Sequence, residues 1–138
     1  YLIQDYQGAI TDLDNAIELN KTIANPYILR GMIKSEVFKD YKGAIADYDK
    51  AIELDPKQNI IYLNRGVAKY IINDFQGAIA DFDKSIELDP KYSDAFYNRG
   101  LTKYNLQDYQ GAIADFEKSL PLSLTKSIES MNYLESLV

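Results

Sequence analysis

Apolar residues fall at spacings of three and four along most of the chain. Between residues 75 and 88 they are Phe75, Ala78, Ile79, Phe82, Ile86 and Leu88, with Gln76, Asp81, Asp83, Lys84 and Glu87 between them. A stripe of that period, rather than strict alternation, predicts a helix with one buried face. The same stripe starts at Tyr41 and Tyr109. Shorter helices of roughly 13 residues are predicted from about Asn25, Asn59 and Ser93. Asp5, Asp40, Asp74 and Asp108 stand where an N-cap would accept bonds from the free amides of the stripe-bearing helices. Pro56 and Pro90 follow two of these helices, where proline cannot continue the ladder.

The elements repeat. Asp-Tyr-Gln-Gly-Ala-Ile at 5–10 returns with small changes at 40–45, 74–79 and 108–113, so that Gly8, Gly43, Gly77 and Gly111 are 35, 34 and 34 residues apart. A second string recurs at Tyr27-Ile-Leu-Arg-Gly31, Tyr62-Leu-Asn-Arg-Gly66 and Phe96-Tyr-Asn-Arg-Gly100. The units at 16–20, 51–55 and 85–89 close on Ala or Ser, then Ile-Glu-Leu and Asn or Asp. A period of this length built from two helices signals a stacked repeat array. The extra residue of the 35-residue unit lies between Gly31 and Asp40 and is placed in the turn, where insertion is cheapest. Gly31, Gly66 and Gly100 are expected to let each first helix approach Ala44, Ala78 and Ala112 of the second. Tyr48, Phe82 and Phe116 are expected as adjacent knobs, and Ala51, Ser85 and Ser119 as close contacts to the next repeat.

The period, the first-helix glycine, the alanines and aromatics of the second helix and the closing Asp-Pro resemble the tetratricopeptide repeat over about residues 1–120. Tyr27, Tyr62 and Phe96 stand where that family commonly has Trp. The resemblance implies an all-α fold, a right-handed α-solenoid of stacked antiparallel helix pairs. The chain then reads as a single domain: the second half of a repeat at 1–23, repeats at 24–58, 59–92 and 93–122, and a final segment at 123–138. Because it opens on Tyr1 partway through a unit, it reads as a piece of a longer polypeptide. Pro121 stands where earlier units carry Glu18, Glu53 and Glu87, so the last second helix should be cut short. Beyond it Leu124, Ile128, Met131, Leu134 and Leu137 share one face of an expected amphipathic helix, which would cap the stack or dock on a partner.

Composition narrows the chemistry. The 138 residues contain no Cys and no His and carry a formal net charge of −6. Thiolate nucleophiles, imidazole bases, disulfides and most zinc sites are thereby absent. An acidic balance argues against a nucleic-acid binder. No apolar run is long enough to span a membrane. Cysteine-free composition assigns no compartment. Neither a catalytic constellation nor a cofactor is expected. The carboxylates Asp49, Glu53, Asp83 and Glu87, beside Lys50 and Lys84, recur in each unit and read as a solvated outer face.

What the resemblance implies about function is a concave groove lined by the first helices. Carried over by register, it takes Asn25, Ile28, Leu29, Met32 and Ser35 from the first complete repeat. The second gives Ile60, Leu63, Asn64, Val67, Tyr70 and Ile71, and the third Asp94, Tyr97, Asn98, Leu101, Tyr104 and Asn105. Such an apolar, aromatic, Asn-bearing surface suits an extended peptide or a helix of a protein partner, with Asn64 and Asn98 as candidates to bond a ligand backbone. Some members grip the C-terminal carboxylate of heat-shock chaperones with Lys, Asn and Arg. Here those places hold Ile28, Met32, Asn64, Asp94 and Asn98, of which only Asn64 agrees, so a chaperone tail is a poor match. Arg30, Arg65 and Arg99, with Lys34, Lys69 and Lys103 four residues on, could form a phosphate track; the structural alternative is pairing with Asp12, Asp47, Asp81 and Asp115. A non-catalytic binding scaffold is the leading expectation. The alternative is an architectural module forming a homo-oligomer through repeat stacking or exchange of the terminal helix, for which growth of the scattering mass with concentration would be the sign.

Overall fold

The computed structural model describes residues 2–121 together with 124, 132 and 136. Its elements are seven helices, with no strand among the described residues: α1 (Leu2–Leu19), α2 (Ala24–Glu36), α3 (Tyr41–Leu54), α4 (Asn59–Ile71), α5 (Phe75–Leu88), α6 (Ser93–Asn105) and α7 (Tyr109–Ser119). The helices α2 and α3, α4 and α5, α6 and α7 form three packed pairs, and α1 packs on α2. Short turns force each pair to run antiparallel. Successive first helices approach one another more closely than successive second helices do, since α2 meets α4 and α4 meets α6. The first-helix layer is therefore the inner, concave side.

Local chemistry explains where the second helices begin. The carboxylates of Asp40, Asp74 and Asp108 accept the N–H of Gly43, Gly77 and Gly111, each at 3.0 Å. The aspartate fills the space a Cβ on that glycine would need, so the Asp-x-x-Gly string is one device. Just before it, Lys39, Asn73 and Gln107 turn the chain with φ of 57°, 66° and 65°. The longer unit keeps the same closure. The N–H of Asp40 bonds to Lys34 O at 2.8 Å across one more residue than the matching bond from Asp74 to Lys69 O, also 2.8 Å. Insertion is absorbed in the turn.

Asp5 departs from the expected cap. Helix α1 already runs from Leu2, so Asp5 lies within its first turn. A cap of this kind forms where the chain turns in from a preceding helix, and no such turn precedes Asp5 among the described residues. At the other end α7 has 11 residues against 14 in α3 and α5. Leu120 is extended (φ −75°, ψ 144°), as a residue before proline prefers. The amphipathic segment expected at 123–138 falls almost wholly outside the described residues, which include only its positions 124, 132 and 136.

The packing of each pair turns on an aromatic ring laid against a bare Cα. A Cβ on Gly31 would sit 2.8 Å from Tyr48 Cε1, on Gly66 2.6 Å from Phe82 Cε1, and on Gly100 2.8 Å from Phe116 Cε1. The expected alanine contacts are secondary: Ala44, Ala78 and Ala112 are buried, but only the Ala112 carbonyl, at 3.2 Å from the Gly100 position, is among the nearest atoms. Tyr27 and Tyr62 add a tie to the turn before their helices, donating their hydroxyls to Lys21 O (3.3 Å) and Pro56 O (2.9 Å), which Phe96 lacks the group to do.

One core position is poorly matched. Ser85 is buried and its hydroxyl has no hydrogen-bond partner, whereas Ser119 donates to Phe116 O at 2.7 Å and the first repeat has Ala51 in this place. An unpaired buried hydroxyl costs about 1 kcal/mol or more, and Ala is the better helix former. Ser85→Ala should therefore stabilise the protein by about 1 kcal/mol in urea denaturation; a loss of stability would show that the hydroxyl is paired in solution.

Candidate functional site

The residues expected to line the groove share one register of α2, α4 and α6, and they fall into three groups by burial. Asn25, Leu29, Asp94, Tyr97 and Tyr104 are exposed; Met32, Asn64, Val67, Tyr70, Asn98 and Leu101 are half-buried. Ile28 and Leu63 are corrected from groove lining to core, at 8% and 6% exposure. Ile28 shares a core cluster with Ile61 of the next repeat, and Leu63 one with Ala95. Tyr97 occupies the same register in α6 yet is 50% exposed, because no following first helix covers it among the described residues. Its ring lies 5.8 Å from that of Phe116, in the last helix pair among the described residues.

The amides and hydroxyls of this face are partly engaged with each other. Asn98 Nδ2 donates to Asp94 O of its own helix at 2.8 Å, leaving its carbonyl oxygen outside that bond. Asn105 Nδ2 bridges two repeats by donating to Tyr70 Oη at 2.8 Å, and to Leu101 O at 3.1 Å. Asn64 Nδ2 is buried with no partner, so the donor end of this half-buried amide lies beneath the surface of the first-helix layer. Tyr70 packs on Phe75 and Tyr104 on Tyr109, with ring centroids 5.6 and 5.4 Å apart. Tyr104 remains 58% exposed. Glu36, absent from the residues expected at the groove, holds the register of Ile71 and Asn105 and is exposed at the last turn of α2.

The basic residues of the first helices are spent on structure. Arg65 Nε and Nη2 donate to the two oxygens of buried Asp81 at 2.9 and 2.7 Å, and its Nη1 reaches Asp49 of the preceding repeat at 2.8 Å. Lys69 Nζ meets the same Oδ2 of Asp81 as Arg65 Nε, at 3.1 Å. The guanidinium also lies 5.8 Å from the centroid of Tyr62. Arg30 repeats this with Asp47, Asp14, Lys34 and Tyr27, and Arg99 with Asp115, Asp83, Lys103 and Phe96. Burial pushes the Asp115 carboxyl up, but hydrogen bonds from Arg99 and Lys103 and their charges outweigh it and hold the group below the usual carboxylate range.

Three of the four expected aspartates thus pair as read from the sequence. Asp12 does not: it faces solvent in α1, which has no first helix of its own among the described residues. The bonds to Asp14, Asp49 and Asp83 were not foreseen. Each lies 16 residues before its arginine, a constant offset that carried the signal.

Among the described residues no group of three or more acidic side chains could hold a metal ion, and no helix is long and apolar enough to cross a membrane.

Comparison with known proteins agrees with the geometry. A family profile described as TPR repeat matches residues 39–71 and 68–107, and one described as tetratricopeptide repeat matches 93–126. No curated protein sequence matches the chain significantly. Among solved structures, MamA superposes with a TM-score of 0.81 at 24% identity, over 86% of this chain and 68% of that one. The second TPR of Spaghetti (RPAP3), bound to an HSP90 peptide, gives 0.65 at 31% identity, over 73% and 93%. The TPR2B domain of yeast Sti1, in its pHsp70 complex, gives 0.67 at 26%, over 70% and 76%. With its helix pairs, its Asp-capped glycines and profile matches over most of its length, the chain belongs to the tetratricopeptide repeat family.

Proposed function

We propose that this chain is a non-catalytic scaffold whose concave face holds an extended peptide or a helix of a partner protein. The observation that carries the reading is the first-helix layer itself: Leu29, Ile71 and Tyr104 are left exposed beside the half-buried amides Asn64 and Asn98. Apolar side chains supply contact area there, and a carboxamide oxygen such as that of Asn98, outside its bond to Asp94, can accept from a ligand backbone. The peptide-bound state of RPAP3, at 31% identity, and the Sti1 complex support this use of the fold.

The ligand differs from an acidic chaperone tail. Ile28 is core, Met32 brings no charge, and Asp94 would repel a carboxylate. Affinity capture with the native chain and with Asn64→Ala/Asn98→Ala as paired baits tests the groove. We expect partners on the native bait to be depleted at least fivefold on the mutant at equal folded protein, from loss of ligand hydrogen bonds worth about 1 kcal/mol each. Equal recovery on both baits would remove the groove from the account.

A further inference from the structure

We infer that the concave face selects ligand segments that pair apolar side chains with lysine or arginine, and that Asp94 and Glu36 are the residues that receive the positive charge. This rests on the groove reading above and adds the charge of its occupant. All six cations of α2, α4 and α6, namely Arg30, Lys34, Arg65, Lys69, Arg99 and Lys103, are held in ion pairs with Asp47, Asp81 and Asp115. Each is engaged with a buried carboxylate, so a ligand would have to compete with that pair for it.

The first helices contribute two other charges, and both are acidic. Asp94 lies in the first turn of α6 and Glu36 in the last turn of α2; both are exposed, and neither takes part in an ion pair among the described residues. The first helices run parallel to one another, so the two carboxylates mark opposite rims of the groove, with Leu29, Asn64 and Asn98 between them. Asp94 also favours the positive end of its own helix. That role leaves its outer oxygens in water, where a ligand cation can reach them. Lys57 and Lys91 lie in the turns ahead of α4 and α6, outside the helical face. A segment crossing the groove therefore meets a floor of apolar side chains and amides with a carboxylate at each rim.

The test is an array of random dodecapeptides, tethered by their C-termini and probed with the full chain. Four variants accompany the native protein: Asp94→Asn/Glu36→Gln, Asp94→Lys, Asn64→Ala/Asn98→Ala, and Glu53→Gln/Glu87→Gln. The last changes net charge equally but on the outer helices. The native protein should enrich Lys and Arg over Asp and Glu about threefold among its strongest binders. Neutralising Asp94 and Glu36 should lower the affinity of a selected basic peptide about two- to fivefold, as expected for exposed pairs. Asp94→Lys should turn the preference toward acidic peptides, and Glu53→Gln/Glu87→Gln should leave it intact. Acidic enrichment by the native chain, or equal loss of preference from the inner and outer pairs, would overturn the inference. If Asn64→Ala/Asn98→Ala retains the same peptides, the groove reading itself fails, whatever their charge; an array with no binders removes both.

Discussion

Phe82→Ala is expected to lower the stability of the array by about 4 kcal/mol, the upper part of the range for truncating a buried aromatic. Phe82 is fully buried, in a core cluster with Leu63, Ala78 and Ala95, and its ring edge lies against the bare Cα of Gly66. Removing the ring takes away contacts to α4 and to the following repeat together. The converse insertion probes the same slot. Gly66→Ala would gain about 1 kcal/mol of helix propensity. A Cβ 2.6 Å from Phe82 Cε1 must instead displace a ring that has no free space, costing about 1–3 kcal/mol. Urea denaturation of both variants and of Gly66→Ala/Phe82→Leu checks the contact: the smaller side chain should relieve part of the glycine effect. Additive losses would show that the two positions do not meet.

The second large effect is expected at the ion pairs. Asp81→Ala should cost about 3 kcal/mol, because Arg65 and Lys69 would face each other with their shared buried carboxylate gone. Arg65→Ala should cost somewhat less, since Lys69 still meets Asp81. Arg65→Lys should recover only part of that loss. An ammonium cannot span both oxygens of Asp81 while reaching Asp49 and stacking on Tyr62. In each variant thermal stability should fall more than partner affinity. Binding lost at unchanged stability would reinstate the arginines as a phosphate-reading track.

These arginines also show what the sequence made legible. The helix starts at Tyr41, Phe75 and Tyr109 followed from local signals, an aspartate cap and an apolar stripe, and the structure has them at those residues. Asp5 carries the same local signal but lies inside the first turn of α1, with no preceding turn among the described residues. The face of a residue was legible to within one helix. Whether it is covered depends on the next repeat, which is why Ile28 and Leu63 went to the core while Tyr97, in the same register, is open. Pairing within a repeat, Arg65 with Asp81, was readable from parallel periodicity. Pairing between repeats, Arg65 with Asp49, required knowing which second helix lies on the other side of the guanidinium. The shared amide of Asn105 and hydroxyl of Tyr70 is of the same kind, a contact 35 residues apart in sequence.

The concave face is tested most directly by photo-crosslinking in a lysate of the cells that make the protein. Benzoylphenylalanine is placed at Leu29 or Tyr104 on the inner layer, or at Glu53 or Glu87 on the outer one, all of them exposed. Partner adducts are expected from Leu29 and Tyr104, suppressed by Asn64→Ala/Asn98→Ala, and none of the same adducts from Glu53 or Glu87. Adducts formed from the outer positions and absent from the inner ones would contradict the groove reading.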